Sequence, residues 1–337
     1  MNPMTPMNPM NTLTRRSLQC IGLASLLAAV LPGHAQTTAW PSRPINVTVG
    51  LQAGTGSDVA VRNVAEKVAA ALGQPLVIGN LPGAAGLLAA QQGIKATPDG
   101  YNLVALSGAA VTTLPHMQKG TSFNPVRDLV PIAMIVSFPS VISVNRSVPA
   151  QTFQEFVALA RKNPGKYTYA SGGNGSVQHT AMEQLMAMTG MKLLHVPYKG
   201  MAQATSDLVA GQVDTAIQGV VAVIPFTKTG QVRPLAWTGA NRNPLYPDLP
   251  TLHEAGVTGY NFQSWTALFG PPGTPREVVA RLNAEIRKAV AAPDLRERWL
   301  PNGMESMDLD PAQMAKLIRE ENEQMAKLVR EVGIQAD

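Results

Sequence analysis

The chain has 337 residues, with 27 Lys and Arg against 22 Asp and Glu, a formal net charge of +5 and a single cysteine. One cysteine excludes an internal disulfide and any cysteine-rich zinc or iron–sulfur site. The basic residues are scattered along the chain, which excludes the concentrated positive stripe of a nucleic-acid binder.

Arg15 and Arg16 precede an unbroken apolar and small-residue run, Cys20 to Leu31, followed by Pro32, Gly33, His34 and Ala35. Positive charge, short apolar run and small-residue exit predict a secretory signal peptide over residues 1–35, cleaved near Ala35. The run falls short of the about 20 apolar residues that span a bilayer. Thr14-Arg15-Arg16-Ser17-Leu18 partly matches a twin-arginine signal, which leaves the export route open. Cys20 stands at the start of the apolar run instead of after it, so it does not read as a lipid anchor. Cleavage would remove it together with two basic residues and no acidic one, lowering the net charge to +3. The expectation is a soluble, monomeric protein of the periplasm that begins at Gln36.

Beyond the leader, short β-rich runs alternate with amphipathic helices, so the fold class is α/β. Ile45 to Leu51 reads as a buried strand and Ala53 to Ser57 as a loop, after which Asp58 opens a helix with its carboxylate on orphan N–H groups. Val61, Val64, Ala65 and Val68 form that helix's apolar stripe, and Gly73 stops it. Leu76 to Ile78 is a second strand. Pro82-Gly83-Ala84-Ala85-Gly86 leads into another helix, and the turn Pro98-Asp99-Gly100-Tyr101 into a strand from Asn102 to Leu106. The same grammar returns with a helix over 153–162, a strand over 166–170, a loop over 171–176 and a helix over 177–189 ended by Gly190. Strands over 193–196, 213–217 and 232–237 and a helix over 202–210 follow. Helices over 275–290, 294–300 and 310–332 close the chain, the last with Asp310 as N-cap, Pro311 in its first turn and Gly333 at its end.

Two segments share one design of strand, glycine-rich loop and helix N-terminus: Ala53–Asp58 and Ser171–His179. Glycine lets several N–H groups converge, and the helix adds its positive dipole end, a combination suited to an anion. Neither loop has the lysine of a phosphate-binding loop or the spacing of a dinucleotide fingerprint, so a single carboxylate fits better than a polyphosphate. Two ordinary βα turns remain the alternative. His116, His179, His195 and His253 form no metal-ligand pair, and no G-x-S-x-G elbow marks Ser171 or Ser176 as a nucleophile. No catalytic residue, metal or cofactor is therefore expected. His179 reads either as a ligand contact or as a helix cap, and His195 as a brace for a strand end. Phe262 and Trp265 read as pocket or core aromatics, and Met182, Met186 and Met188 as helix packing.

Several stretches resemble the Bug family, the periplasmic receptors of tripartite tricarboxylate transporters. They are Trp40-Pro41-Ser42-Arg43-Pro44-Ile45, Pro82-Gly83-Ala84-Ala85-Gly86, Pro98-Asp99-Gly100-Tyr101, Ser171 to His179 and His195-Val196-Pro197-Tyr198-Lys199-Gly200. The likeness continues through Asp207-Leu208-Val209-Ala210-Gly211-Gln212-Val213-Asp214, Leu249-Pro250-Thr251, Glu254-Ala255-Gly256 and Pro271-Pro272-Gly273-Thr274-Pro275. The resemblance implies a type II periplasmic-binding-protein fold, two α/β lobes joined by crossing hinge strands that close on a ligand. Lobe 1 is expected over 36–141 plus 246–337 and lobe 2 over 142–245. It also implies that a ligand carboxylate is held by the first βα loop and the glycine-rich loop of the second lobe. The candidate ligand-binding residues are Ala53, Gly54, Thr55, Gly56, Ser57, Ser107, Ser171, Gly172, Asn174, Ser176, His179 and Gln218, with Gln218 expected at the ligand's distal end. Thr55 departs from the family's two adjacent glycines. The expected partners are a small organic acid and membrane transporter subunits, with no nucleic acid. An exported α/β hydrolase and a receptor serving a sensor protein are the rival readings.

Overall fold

The computed structural model describes residues 40–117 and 123–334. The expected signal peptide and its cleavage site lie outside the described residues.

The chain builds two sheets in two lobes. The first has the strand order β11-β4-β10-β3-β1-β2 and the second β7-β6-β8-β5-β9. In the first, β1 (Ile45–Val49), β2 (Leu76–Asn80) and β3 (Asn102–Ser107) run parallel, linked by α1 (Gly56–Leu72) and α2 (Leu87–Ile94). β10 (Ser264–Gly270) lies antiparallel between β3 and β4 (Val130–Phe138), and β11 (Glu305–Ser306) closes the edge. In the second, β6 (Thr168–Ser171) runs parallel to β7 (Leu194–Pro197) and β8 (Thr215–Gly219). β5 (Ser140–Asn145) is antiparallel to β8 and to β9 (Val232–Trp237).

Each element follows from its residues. Val61, Val64, Ala65 and Val68 of α1 are buried, and Gly73 ends the helix at φ 70, a left-handed value that glycine adopts without a Cβ penalty. Asp58 is not the cap expected of it. Thr55 caps α1 and Asp58 sits within the first turn. α6 (Val177–Thr189; α3, α4 and α5 being Leu114–Met117, Pro125–Asp128 and Phe153–Lys162) repeats the pattern with Ser176 as cap and Gly190 at φ 70. The long strand β4 is buried on both faces, with Ile132, Ala133 and Met134 at 0% exposure and Ile135 at 2%. A strand covered on both sides reads as a continuous apolar run instead of an alternating one.

Two short crossings join the sheets. Pro139 alone separates β4 from β5, and residues 261–263 lead from the second core back to β10. The expected lobe limits differ from this. Ser140 and Val141 pair with Gly219 and Gln218 of the second sheet. Residues 246–260 also pack with the second lobe: Leu252, Ala255, Val257 and Tyr260 enter its core, and Leu252 N–H donates to the Trp237 carbonyl at 2.8 Å. The apolar side chains past residue 245 thus continue along the edge of β9 before the chain returns. Helices α7 (Met201–Ala210), α8 (Val220–Lys228), α9 (Arg276–Ala291) and α10 (Pro293–Trp299) complete the layers. The last helix, α11 (Pro311–Val332), opens with a capping box of Asp310 and Gln313, and its contacts include the turn over 109–113, β4 and α6. No helix among the described residues is long and apolar enough to cross a membrane.

Candidate functional site

The first loop leaves the C-terminal end of β1, where ligands of open α/β sheets gather. It is held from below by one carboxylate. Asp58 accepts from Gly54 N–H at 3.0 Å, from Arg62 Nε at 3.0 Å and from Asn80 Nδ2 at 2.9 Å. Burial alone would raise its pKa, but these hydrogen bonds outweigh burial and hold the group below the ordinary carboxylate value. The Thr55 hydroxyl donates to the Gln52 carbonyl and receives Asp58 N–H. Ser57 is buried and its hydroxyl meets that of Thr266 at 2.7 Å. Thr266 pairs across the sheet with Ser107, whose own hydroxyl accepts from Ala110 N–H. Gly54 takes φ 81, and a Cβ on Gly56 would lie 2.8 Å from the Phe138 ring. Ala53 is exposed.

The second loop is tied the same way. The Ser171 hydroxyl, with no exposed surface, meets His195 Nε2 at 2.6 Å and both the N–H and the carbonyl of Gly173 at 3.1 Å. Gly173 and Gly175 take φ 115 and 74. Gly175 N–H donates to His179 Nδ1 at 3.0 Å, and Ser176 caps α6 by accepting His179 N–H. Gly172 is half-buried, and Asn174 is exposed.

The hydroxyls and the imidazole at these candidate positions are therefore spent on shaping the loops. The backbone is what they leave available. The cap side chain takes the third N–H of each helix, and the fourth bonds the cap carbonyl. The first two of each helix, on Gly56 and Ser57 of α1 and on Val177 and Gln178 of α6, have no partner among the described residues. Such pairs at the positive end of a helix dipole suit a carboxylate.

Gln218 lies elsewhere than expected. It is 1% exposed, with its amide oxygen 2.9 Å from Thr205 Oγ1 and its nitrogen buried without a partner. Thr205 has one proton and the Met201 carbonyl stands 2.8 Å away. Turning the amide round would let its nitrogen donate to Thr205 while Thr205 donates to Met201, a fuller set of bonds.

Ala109, Thr113 and Glu321 of the first lobe, Gly175 and Thr180 of the second, and Phe262 of the crossing line the narrow space between the lobes. Its free volume of about 10 Å3 admits roughly one water, so a larger guest requires the lobes to part. The first loop does not line this space. A roomier groove of about 440 Å3 lies behind the crossing, between residues 259–265 and α11. It includes the start of α11, with Leu309 and Gln313, and Lys316, and the capping box of Asp310 and Gln313 already engages that helix start. Glu321, not apparent from the sequence, borders both the cleft and this groove. It accepts from Thr112 Oγ1 at 2.7 Å and Trp265 Nε1 at 2.8 Å, and burial holds its pKa above the ordinary value against those two bonds. Its contacts lie 56 and 209 residues away along the chain, so no local pattern marks it. Phe262 and Trp265 both line the larger groove.

Ser171 and His195 stand at nucleophile–base distance. Ser171 is nevertheless sealed from any substrate and bonded to its own loop, so the pair does structural work. His195 lies on β7 opposite Tyr169 of β6, its ring stacked on that of Tyr169 at 4.7 Å. Among the described residues no group of three or more His, Cys, Asp or Glu is placed to hold a metal ion.

Two α/β lobes with short crossings and an anion-suited edge define a solute receptor of the periplasmic-binding type. Residues 60–334 match the tripartite tricarboxylate transporter family receptor (TctC), and the chain belongs to that family. A protein from the tcbD-tcbE intergenic region of Pseudomonas sp. (strain P51) is 36% identical, with 92% of this chain and 91% of that one aligned. The adipate-bound protein of R. palustris aligns with 31% identity and a TM-score of 0.70, covering 88% of this chain and 99% of that one. MatC of Rhodopseudomonas palustris, with bound malate, aligns with 30% identity and a TM-score of 0.67, covering 86% and 100%. The periplasmic binding protein BugD aligns at 30% identity and a TM-score of 0.67, covering 88% and 100%. The family is one of solute-binding receptors, and its members are periplasmic binding proteins.

Proposed function

We propose that this chain is an exported periplasmic receptor that captures a small carboxylate-bearing organic anion between its lobes, performs no chemistry on it, and delivers it to a tripartite tricarboxylate-type membrane transporter. The observation that carries the reading is the matched pair of helix starts, each presenting two unclaimed N–H groups, on Gly56 and Ser57 and on Val177 and Gln178. Related proteins that hold adipate and malate support a carboxylate. In this reading lobe 1 spans 40–138 and 264–334, lobe 2 spans 140–260, and the crossings at Pro139 and 261–263 are the hinge. Gly54, Gly56, Gly173 and Gly175 let the backbone approach the anion, and Gly172 stands at the mouth of the second loop. Thr55, Ser57, Ser107, Ser171, Ser176 and His179 hold the loops in shape, and Ala53 and Asn174 sit at the rim.

A ligand that binds only the closed form stabilises it by mass action, about 2.7 kcal/mol at a hundredfold excess over its dissociation constant. One among dicarboxylates, amino acids and aromatic acids is expected to raise the melting temperature of the purified protein, whereas zinc and ATP are not. A shift with zinc or ATP and none with any carboxylate overturns the reading.

A further inference from the structure

The second loop rests on two stacked imidazoles. His179 and His195 face each other at 4.1 Å between ring centroids with 18° between their planes. Each supports one half of the loop: His179 Nδ1 takes Gly175 N–H, and His195 Nε2 meets the Ser171 hydroxyl. We infer that His179 and His195 are positioning residues for the anion-binding loop, and that protonation of His179 undoes the loop and releases the ligand. This rests on the carboxylate-receptor reading above.

An imidazole nitrogen that accepts an amide N–H carries no proton. The neutral ring of His179 therefore has its hydrogen on Nε2. Protonation places a second hydrogen on Nδ1, and two donors then meet head-on at Gly175. The Gly175 N–H loses its acceptor, and with it goes the tie that fixes the turn between Gly173 and the Ser176 cap. Ser176 N–H bonds the Gly173 carbonyl, so displacement of Gly175 reaches the start of α6 and its unclaimed N–H groups. The positive ring also attracts an anion, but the carboxylate is held by directed backbone bonds, which a displaced loop no longer aims.

Among the described residues, the titratable groups beside His179 come from β6, β7, α6 and the segment before the crossing. From β6 there is Tyr169, from β7 His195, and on α6 itself Glu183, whose Oε1 lies 3.7 Å from His179 Nε2 and accepts the Tyr169 hydroxyl at 2.6 Å. The Tyr260 hydroxyl, from the segment before the crossing, is spent on the Ala181 carbonyl. Burial raises the Glu183 carboxyl and lowers His195. His195 is thus the member of the stack that stays neutral, since two adjacent charged rings would repel. Glu183 is positioned to stabilise the charge on His179.

The test uses His179→Asn, whose side-chain oxygen can take Gly175 N–H in place of Nδ1 and does not titrate. Calorimetry with malate and with adipate is run at about pH 7.5 and about pH 5.5, either side of the usual imidazole range. Wild-type affinity is expected to fall by about tenfold or more on acidification. His179→Asn, whatever its affinity at the higher pH, is expected to change by less than about twofold on acidification. An equal fall in the variant, or a wild-type affinity that is flat or tighter in acid, overturns the inference. If neither acid binds at either pH, the receptor reading fails for these acids, and nuclear magnetic resonance of the ligand-free protein decides the loop by itself. The Gly175 amide signal must titrate together with the His179 ring in wild type and not in His179→Asn. A Gly175 signal indifferent to that ring overturns the inference.

Discussion

Gly172→Asp separates a binding loop from an ordinary turn. Gly172 is outside the left-handed region, and a Cβ there would lie 3.4 Å from Gln178 Oε1 and 3.6 Å from Met201 Cγ, ordinary contact distances. A side chain therefore fits without moving the backbone, and the variant is expected to fold. Its carboxylate would stand at the mouth of the loop that receives the ligand's own carboxylate. Two like charges about 5 Å apart in a medium of effective dielectric about 20 repel by ~3 kcal/mol. That is roughly a hundredfold in the dissociation constant at ~1.4 kcal/mol per decade. Gly172→Ala and Gly172→Asn add bulk without charge and should bind within about threefold of wild type. Titration calorimetry with malate and adipate measures the difference, with circular dichroism confirming the fold. A folded Gly172→Asp protein with wild-type affinity would mean that the loop is only a turn. An equal loss in Gly172→Ala would assign the effect to bulk.

Asp58→Asn removes the charge that gathers Gly54, Arg62 and Asn80. The Arg62 side chain is 44% exposed, so the ion pair itself contributes at most ~1 kcal/mol, and the hydrogen bonds bring the expected loss to ~2 kcal/mol in urea denaturation near neutral pH. Because the folded pKa of Asp58 is depressed, its contribution is present above the unfolded value of 3.8 and disappears as pH falls through the lower folded value. The variant should therefore lose less stability than wild type on acidification across that window, and parallel pH profiles would refute the role given to Asp58. Gln218→Leu replaces an incompletely bonded buried amide while Thr205 keeps its Met201 partner. Stability within about 1 kcal/mol of wild type and unchanged ligand preference are expected, whereas an altered preference between malate and adipate would return residue 218 to the ligand.

The parts of the fold that carry local signals were legible from the sequence. Caps and stops are written within a few residues, as at Gly73, Gly190, Asp310 and Gly333, and the glycines of the two loops announce backbone that other residues adopt poorly. Pairings between distant segments have no such signature. Nothing near residue 264 says that β10 inserts between β3 and β4, and nothing at residue 245 says that the chain stays in the second lobe as far as Tyr260. The site divides the same way. The two glycine-rich loops stood out because their chemistry is contiguous. The employment of their hydroxyls did not, because Ser57 is answered by Thr266 and Ser171 by His195. Gln218 was placed at the ligand by the family resemblance alone, and no local pattern announces that Thr205 of α7 covers it.

The central claim is that one acid is gripped from both lobes at once. Hydrogen–deuterium exchange with and without malate or adipate tests it most directly. Simultaneous protection of residues 53–58 and 171–179 is expected, with the outer faces of α1 and α6 unchanged. Protection confined to one lobe, or to the groove between residues 259–265 and α11, would contradict it.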